Sequence, residues 1–392
     1  GTMDWSASEQ SLLLSARFYG SCLSVAFSGA VADRFGADIV LSVVLALSAL
    51  ITLLTPLFSS LHYHIVLGSR FVLGFIDSFH QPAINCLASE WFPAEEKAAA
   101  ASIYTSGYQF AGGFSSLFAA ALCKSTLLGG WPSIFYTFGG TCLMFLVIWI
   151  VFAHRGPSDN RWLQDTERKW LEKRVALASK DKKSTTPYSK IFLSSPVHAV
   201  MLCHFAYSYA TSLLQAYLPL FLRELGLSID TIGWYTLTPF LAQIVGKSFV
   251  GLAVDYGSAN GLITLTNATR IAQSMGSFGA SIMLILLSFL PNCENPTISF
   301  YILLLFGILY SGGTCGFYTS MLSISPDHMG TLSSIAAVTR IAASVVATLI
   351  VNGLTAIETP LKWPLVFASA SIFQSLAGLH FLIFGTTDVQ KW

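Results

Sequence analysis

The sequence predicts an all-α, polytopic membrane protein, and composition and hydropathy patterning both support that fold class. Of the 392 residues, 54% are hydrophobic and only 10% are charged, whereas about a quarter of the residues of a soluble domain are charged. This scarcity of ionisable groups disfavours cytosolic enzymes and nucleic-acid binders. Eleven apolar stretches of about 20 residues, each long enough to cross the hydrocarbon of a bilayer as a helix, complete the prediction.

Five of these stretches precede a hydrophilic segment and six follow it. The predicted spans are 10–31, 38–58, 64–86, 98–122 and 133–153, then 198–222, 231–253, 271–291, 298–322, 333–356 and 363–385. Prolines and short polar turns mark the connections between them. The predicted organisation is therefore an N-terminal bundle of five helices (1–153), a basic linker (154–197) and a C-terminal bundle of six helices (198–392).

The linker fixes the expected orientation in the membrane. Ten of the 21 Lys and Arg residues fall within 154–190, against five acids, and such an excess is typical of cytoplasmic loops. Counting spans from there places residue 1 on the outer or lumenal side and the C-terminus in the cytoplasm. The basic segment is expected to be a solvated linker, with binding to lipid head groups as the alternative.

A short motif occurs twice, each time after an apolar span at a predicted cytoplasmic turn. It reads GAVADRFG at 29–36 and GLAVDYG at 251–257. Glycine lets two helix ends approach closely, and the acid can bond to a neighbouring helix terminus or arginine in one conformational state. A simple tight turn is the alternative. The predicted gating residues are Gly29, Asp33, Arg34, Gly36, Gly251 and Asp255.

The repeat also predicts a transporter architecture. Two halves related in this parallel sense are a known arrangement, with the substrate site between them near the membrane midplane. In the second half the complete span 198–222 precedes the motif-bearing span, whereas in the first half the motif-bearing span comes first. We therefore expect a twelve-helix arrangement of which eleven helices are present, the first being absent.

Ionisable residues inside the spans are the candidate site residues, since each costs about 2.5 kcal/mol or more to insert. Arg70 and Asp77 lie seven residues apart, about 10 Å along one helix face, so both can address one cavity. Arg70 offers a planar fork suited to carboxylate or phosphate, while Asp77 and His80 can exchange a proton as their surroundings alternate. Bonding to neighbouring helices is the alternative role. Pro82 is expected to bend this helix.

Other polar residues in the spans are weaker candidates. Arg17 would supply positive charge if it faced the cavity, and would otherwise snorkel to the outer interface. Lys247 and Arg340 are expected to reach the membrane interface. Tyrosines on predicted cavity-forming helices could shape a binding pocket, with packing as the alternative; these are Tyr19, Tyr104, Tyr108, Tyr207 and Tyr209. The seven cysteines show no metal-ligand spacing, and no enzyme motif is recognisable.

The two motif copies, 29–36 and 251–257, resemble the signature loops of the major facilitator superfamily. Further stretches resemble its anion:cation symporter family, the group of sialin, the vesicular glutamate transporters and the sodium/phosphate cotransporters. These stretches are Arg70–Asp77 with Pro82, Trp91–Glu95, Gly130–Gly139, His204–Tyr209 and Gly385–Trp392. Tyr207 stands where glutamate-transporting members carry arginine, so the similarity is nearest to the sialin-like branch. Asp77 replaces the usual glutamate, and Ser320–Pro326 departs from the usual pattern.

The resemblance implies a multi-pass protein of the plasma membrane or a lysosomal or vesicular membrane. It implies secondary active transport of an organic or inorganic anion by alternating access, coupled to a proton or a sodium ion. Arg70 would hold the anion and Asp77 would couple the ion, with His80 as a second proton carrier. We expect no enzyme activity, no metal, no cofactor beyond the coupled H⁺ or Na⁺ and no nucleic-acid partner; the oligomeric state is open. A transporter-derived receptor or scaffold without transport is the alternative function.

Overall fold

The computed structural model describes residues 7–93, 96–124, 130–160, 162–176, 188–355 and 361–390, and in these residues the regular structure is helical, without strands. This confirms the predicted all-α class. The helices are α1 (Ala7–Phe35), α2 (Ala37–Leu61), α3 (Tyr63–Asp77), α4 (His80–Trp91), α5 (Lys97–Lys124), α6 (Pro132–Phe152), α7 (Asp165–Ala176), α8 (Tyr188–Leu193), α9 (Ser195–Glu224), α10 (Ile229–Ala259), α11 (Leu265–Phe289), α12 (Ile298–Tyr310), α13 (Thr319–Ile324), α14 (Met329–Thr355) and α15 (Lys362–Phe384).

Each of the eleven predicted spans coincides with one of these helices or with a consecutive group of them. In the part of the chain described, seven helical segments are long and apolar enough to cross a membrane: Ala37–Leu61, Pro132–Phe152, Thr231–Ala259, Leu265–Phe289, Ile298–Ile324, Pro326–Val351 and Lys362–Phe384. Helices α1 and α9 are as long, at 29 and 30 residues, but carry more polar residues. The span at 298–322 is interrupted by a π-helical turn, Thr314–Tyr318.

Local sequence explains where several helices begin. The hydroxyls of Ser228 and Thr264 accept bonds from backbone amides in the first turns of α10 and α11, which is the usual role of an N-cap residue. Pro132 begins α6 at the position where a missing backbone N–H costs nothing. Gly36, with φ of +96°, separates α1 from α2 in a conformation that L side chains rarely adopt.

The chain forms two compact units. The first comprises residues 1–91, 115–180 and 326–338, and the second comprises 92–114, 181–325 and 339–392. Helices α5 and α14 therefore contribute residues to both units. The bundle boundaries that the sequence predicts stay a prediction.

In the first unit, α1 and α3 pack with their backbones in contact. Ser21 Oγ donates to the Gly74 carbonyl at 2.9 Å, and Ser24 Oγ donates to the Phe75 carbonyl at 2.8 Å. A Cβ atom at Gly74 would lie only 1.9 Å from the Arg17 carbonyl oxygen. Small residues and interhelical hydroxyl bonds are the usual means of packing helices closely in membranes. This contact places the middle of α1 beside the end of α3.

The second unit has an aromatic core. Tyr209, Phe306, Tyr310 and Phe367 are all at most 2% exposed. Phe221 packs edge-on against Phe367, with ring centroids 5.1 Å apart. Aromatic pairs in such geometries stabilise a core beyond the area they bury. The core therefore fixes α9 against α12 and α15.

A polar contact outside the apolar spans closes one end of this unit. Glu224 accepts hydrogen bonds from Lys362 Nζ at 2.8 Å and from Trp363 Nε1 at 2.7 Å. Partial burial alone would raise the pKa of the Glu224 carboxyl, but the bonds from Lys362 and Trp363 outweigh it and hold the pKa below its ordinary value of 4.5. A carboxyl whose pKa is lower in the folded state stabilises the fold above the unfolded pKa, and this stabilisation disappears as the pH falls through the folded pKa.

We expect Glu224→Gln to lower the free energy of unfolding at pH 7 by about 0.2–1 kcal/mol, the range for partly exposed ion pairs. The difference from wild type should shrink at pH values well below 4.5, where the wild-type carboxyl is itself protonated. Thermal unfolding of the purified protein in detergent at both pH values measures this. An equal difference at both pH values would contradict the assigned pKa.

Candidate functional site

Asp77, the last residue of α3, is bound from two neighbouring helices. Arg17 on α1 forms an ion pair with its Oδ2 atom at 2.5 Å, and Ser48 Oγ on α2 lies 3.5 Å from Oδ1. The Arg17 side chain is 60% exposed and that of Asp77 is 27% exposed. Sequence analysis proposed Arg70 as the cation that shares a cavity with Asp77, whereas the structure pairs Asp77 with Arg17. The Arg17 guanidinium therefore bonds to Asp77 and does not extend alone to the outer interface.

The helix that carries these residues is broken immediately after Asp77. α3 ends at Asp77 and α4 begins at His80, as the expected bend near Pro82 requires. Pro82 has no backbone N–H, so it cannot continue the hydrogen-bond ladder back to Ser78. His80 is close enough to Asp77 for the carboxylate charge to act on it. The break places Asp77 and His80 at adjoining helix ends.

Arg70 lies two turns away on α3 and faces α6. Its guanidinium carbon is 5.4 Å from the centroid of the Phe135 ring, within range of a cation–π interaction. The charges of Arg70 and Arg17 act on each other. The first unit thus holds two arginines and one carboxylate together in its spans, and their summed charge is positive. Tyr19, 60% exposed on α1, belongs to the same unit.

The other predicted tyrosines lie in the second unit. The Tyr104 ring is 6.1 Å from that of Tyr318, and the Tyr108 hydroxyl is hydrogen-bonded to Arg340. Tyr207 stacks on Tyr310 with centroids 4.3 Å apart. Its hydroxyl donates to Gln243 Oε1 at 3.1 Å. Tyr207 is therefore held by packing and by hydrogen bonds with Gln243 and Thr314.

Lys247 is a residue whose position the sequence analysis misplaced. The expectation that it reaches the interface is wrong, because the side chain is 1% exposed. Its Nζ donates to Thr105 Oγ1 at 3.3 Å and to Gln109 Oε1 at 3.1 Å, both on α5. Lys247 lies twelve residues before the end of α10, about 18 Å along the helix. That distance alone indicates an interior position.

Asp33, in the first copy of the repeated motif, caps the N-terminus of α14. Oδ1 accepts from the Gly330 amide at 2.9 Å, and Oδ2 accepts from the Thr331 amide at 3.0 Å and from the Thr331 hydroxyl at 3.1 Å. The first turn of a helix has unsatisfied amides and a partial positive charge, so a carboxylate there is stabilising. The Cys86 thiol also lies 3.1 Å from Oδ1.

Gly29 makes this cap possible by letting α1 touch α14. A Cβ atom at Gly29 would lie 1.7 Å from the Gly330 carbonyl oxygen. The Gly29 amide lies 2.7 Å from Ser334 Oγ. Arg34 takes no part in the cap, since its guanidinium lies over the neighbouring Phe35 ring. Gly36 provides the turn into α2.

The second copy of the motif repeats the arrangement within the second unit. Asp255 Oδ2 accepts from the Ala99 amide at 2.7 Å, in the first turn of α5. Gly251 faces Ala98 and Ser102 on the same helix. Each motif acid therefore binds the N-terminus of a helix, one of the two bonding modes that the sequence suggested. Ala99, Gly330 and Thr331 were not recognised in the sequence because backbone donors leave no signal in residue type.

A family model described as Major Facilitator Superfamily matches residues 1–348. The chain belongs to this superfamily. The membership confirms the fold expected from the repeated motif, and it identifies a multi-pass integral membrane transporter rather than an enzyme. The two capped helices and the Arg17–Asp77 pair therefore belong to a transporter of this superfamily.

Curated relatives within the superfamily are similar over the full chain. The uncharacterized transporter slc-17.3 of Caenorhabditis elegans is 32% identical over 400 residues, which cover 100% of this chain and 74% of the relative. Vesicular glutamate transporter 2.2 of Danio rerio is 25% identical, covering 99% and 66%. A putative inorganic phosphate cotransporter of Drosophila ananassae is 25% identical, covering 100% and 82%. These relatives place the chain in the anion:cation symporter group.

Solved superfamily structures show the same fold. The proton:xylose symporter XylE superposes with a TM-score of 0.76 at 15% identity, covering 98% of this chain and 88% of XylE. The human organic anion transporter MFSD10 gives a TM-score of 0.65 at 16% identity, covering 95% and 83%. At these identities the similarity concerns the fold alone.

We expect Gly29→Ala to lower the free energy of unfolding by about 1–3 kcal/mol, because the added methyl group overlaps the Gly330 carbonyl and forces α1 and α14 apart. Gly68→Ala is the matched control, since a Cβ atom at Gly68 meets nothing within 4 Å. The control should leave stability unchanged or raise it by up to about 1 kcal/mol. Thermal unfolding in detergent measures both, and equal stability of the two variants would contradict the close contact.

Proposed function

We propose that this chain is a secondary active transporter that moves an anion by alternating access, coupled to a proton. The observation that carries the proposal is the Arg17–Asp77 ion pair inside the first unit, with Arg70 as a second cation whose charge acts on Arg17. Ionisable residues within membrane helices are functional candidates by default, because their insertion is costly. Two cations against one acid favour a negatively charged substrate.

The same pair supplies a coupling mechanism. While Asp77 is ionised, its carboxylate occupies the Arg17 guanidinium. Protonation of Asp77 removes that negative charge, which releases Arg17 and raises the positive charge available to an anion. Proton binding therefore strengthens anion binding, and by thermodynamic reciprocity anion binding strengthens proton binding. This linkage is the requirement for moving both species in one direction.

A proton is favoured over sodium as the coupled ion. Hard cations need several oxygen ligands, whereas the side-chain contacts described for Asp77 are the Arg17 guanidinium and the Ser48 hydroxyl, 3.5 Å away. A proton needs only the carboxylate itself. His80, at the start of α4, is a second acceptor within electrostatic range of Asp77. Alternation of the Asp77 surroundings between the two facing states would change its affinity for the proton.

The substrate class follows from the arginine fork and from the relatives. Guanidinium groups bind carboxylate and phosphate through paired hydrogen bonds. The relatives named above include a vesicular glutamate transporter and a putative inorganic phosphate cotransporter. Tyr207 in place of the arginine of glutamate-transporting members favours an organic carboxylate other than glutamate. The vesicular relatives support a vesicular or lysosomal membrane, with the plasma membrane as the alternative.

We expect Arg70→Ala to abolish saturable anion uptake into proteoliposomes, because it removes the cation that is not already bound to Asp77. Arg70→Lys should retain partial uptake, since lysine keeps the charge but loses the fork. N-acetylneuraminate, L-glutamate and inorganic phosphate are the probes, and Arg223→Ala, an exposed arginine in the last turn of α9, is the control. Normal saturable uptake by Arg70→Ala would remove this residue from the anion site.

We expect Asp77→Asn to lose the stimulation of uptake by an inward proton gradient, because an amide cannot exchange the proton. Uptake down the anion's own gradient should remain measurable, since the neutral amide resembles protonated Asp77. The measurement compares uptake under imposed proton and sodium gradients for wild type and variant. Full retention of the pH dependence would exclude Asp77 as the coupling residue, and stimulation of wild type by sodium alone would exclude the proton.

A further inference from the structure

Arg340 lies at the middle of a membrane-spanning helix in the second unit. It is eleven residues from the start of α14 and fifteen from its end, so about 17 Å of helix separates it from the nearer terminus. The expectation that it reaches an interface is therefore wrong. A charged residue at this depth is costly, and such residues face other helices or a water-filled cavity.

The neighbours of Arg340 come from two other helices of the same unit. Its guanidinium is hydrogen-bonded to the Tyr108 hydroxyl on α5, and its charge acts on His204 of α9. These two neighbours place the guanidinium beside α5 and α9, while Arg340 is exposed and Tyr108 is 51% exposed. Among the ion pairs within the described ranges, none joins Arg340 to a carboxylate. A neutral phenol thus takes the place of a counter-ion.

Aromatic side chains pack around His204, the neighbour of Arg340 on α9. The His204 ring lies 4.7 Å from the Phe317 ring and 5.7 Å from the Tyr318 ring, and Tyr318 also contacts Tyr104 at 6.1 Å. Phe317 and Tyr318 belong to the π-helical turn Thr314–Tyr318, a rare geometry that is frequent at functional sites.

His204 supplies an independent indication of a ligand. Its Nε2 atom is buried and has no hydrogen-bond partner among the residues that the structure describes. Buried polar atoms are nearly always paired, so an exception calls for an explanation. A polar group of a bound molecule would form a hydrogen bond with this nitrogen. The charge of Arg340, which acts on His204, would attract an anionic group of the same molecule.

We propose that Arg340 and Tyr108 bind the carboxylate group of an organic anion, in a site formed within the second unit. The guanidinium donates to the carboxylate oxygens and the Tyr108 hydroxyl adds a further donor, while His204 Nε2 binds a second polar group of the molecule. The rings of Tyr104, Phe317 and Tyr318 pack against its carbon skeleton. The site therefore favours an organic carboxylate over inorganic phosphate, which has no skeleton to pack. This inference rests on the proposed function and assigns its substrate class.

Equilibrium binding to the purified full chain in detergent tests the site separately from transport. The probes are N-acetylneuraminate, a carboxylate with a hydroxylated skeleton, and inorganic phosphate. We expect wild type to bind N-acetylneuraminate more tightly than phosphate, and Arg340→Ala to raise the Kd for N-acetylneuraminate about tenfold or more, as the loss of charge-assisted hydrogen bonds predicts. Tyr108→Phe should raise it about threefold, and Arg340→Lys should give an intermediate value. Arg223→Ala should match wild type.

The outcomes separate this inference from the proposed function. An unchanged Kd for N-acetylneuraminate in Arg340→Ala, with wild type binding normally, would overturn the site and leave anion transport standing. Tighter binding of phosphate than of N-acetylneuraminate would overturn the substrate class. Absence of binding of both probes to wild type would overturn the inference, while saturable uptake of L-glutamate into proteoliposomes would leave the proposed anion transport standing. Should Arg340→Ala fail to fold, Arg340→Lys and Tyr108→Phe decide the same question.

Discussion

The ion pair between Arg17 and Asp77 is the interaction on which the proposed transport mechanism depends. An isolated charge inside a membrane helix is costly, and the pairing of Arg17 with Asp77 offsets part of that cost for both side chains. The bond to Asp77 uses only part of the Arg17 guanidinium, which has five N–H donors. The Arg17 side chain is also 60% exposed. A strong but unsaturated pair can respond to a proton or an anion, whereas a fully buried network would serve structure alone.

The two motif acids illustrate a second constraint, the need to satisfy the first amides of a membrane helix. Asp33 does this for α14 and Asp255 does it for α5, each within its own unit. In apolar surroundings an unsatisfied amide costs several kcal/mol. Such a bond can therefore hold one conformation firmly and still be exchanged for water when the helix end becomes exposed. Gating by these residues stays a prediction that this geometry motivates.

Sequence alone predicted most of the fold, because a span of about 20 apolar residues has few alternatives to a helix in a bilayer. It also predicted that Asp77 is a polar centre and that the helix bends near Pro82. It placed Asp77 and Arg70 at one cavity by their spacing on one helix. The partner of Asp77 in the structure, Arg17, is 60 residues away in sequence and is brought close by packing of α1 on α3. Lys247 and Arg340 were assigned to interfaces because the sequence does not reveal which neighbouring helix supplies a polar partner.

The backbone contact between α1 and α3 has a consequence for how the Arg17–Asp77 pair can open. Side chains at Gly20 and Gly74 would overlap the opposing main chain at 2.0 and 1.9 Å, and the bonds of Ser21 and Ser24 cross the same seam. Two helices interlocked in this way neither slide nor rotate past each other without breaking several contacts at once. We therefore expect the pair to separate by rotation about the bonds of the Arg17 side chain, while α1 and α3 stay packed together.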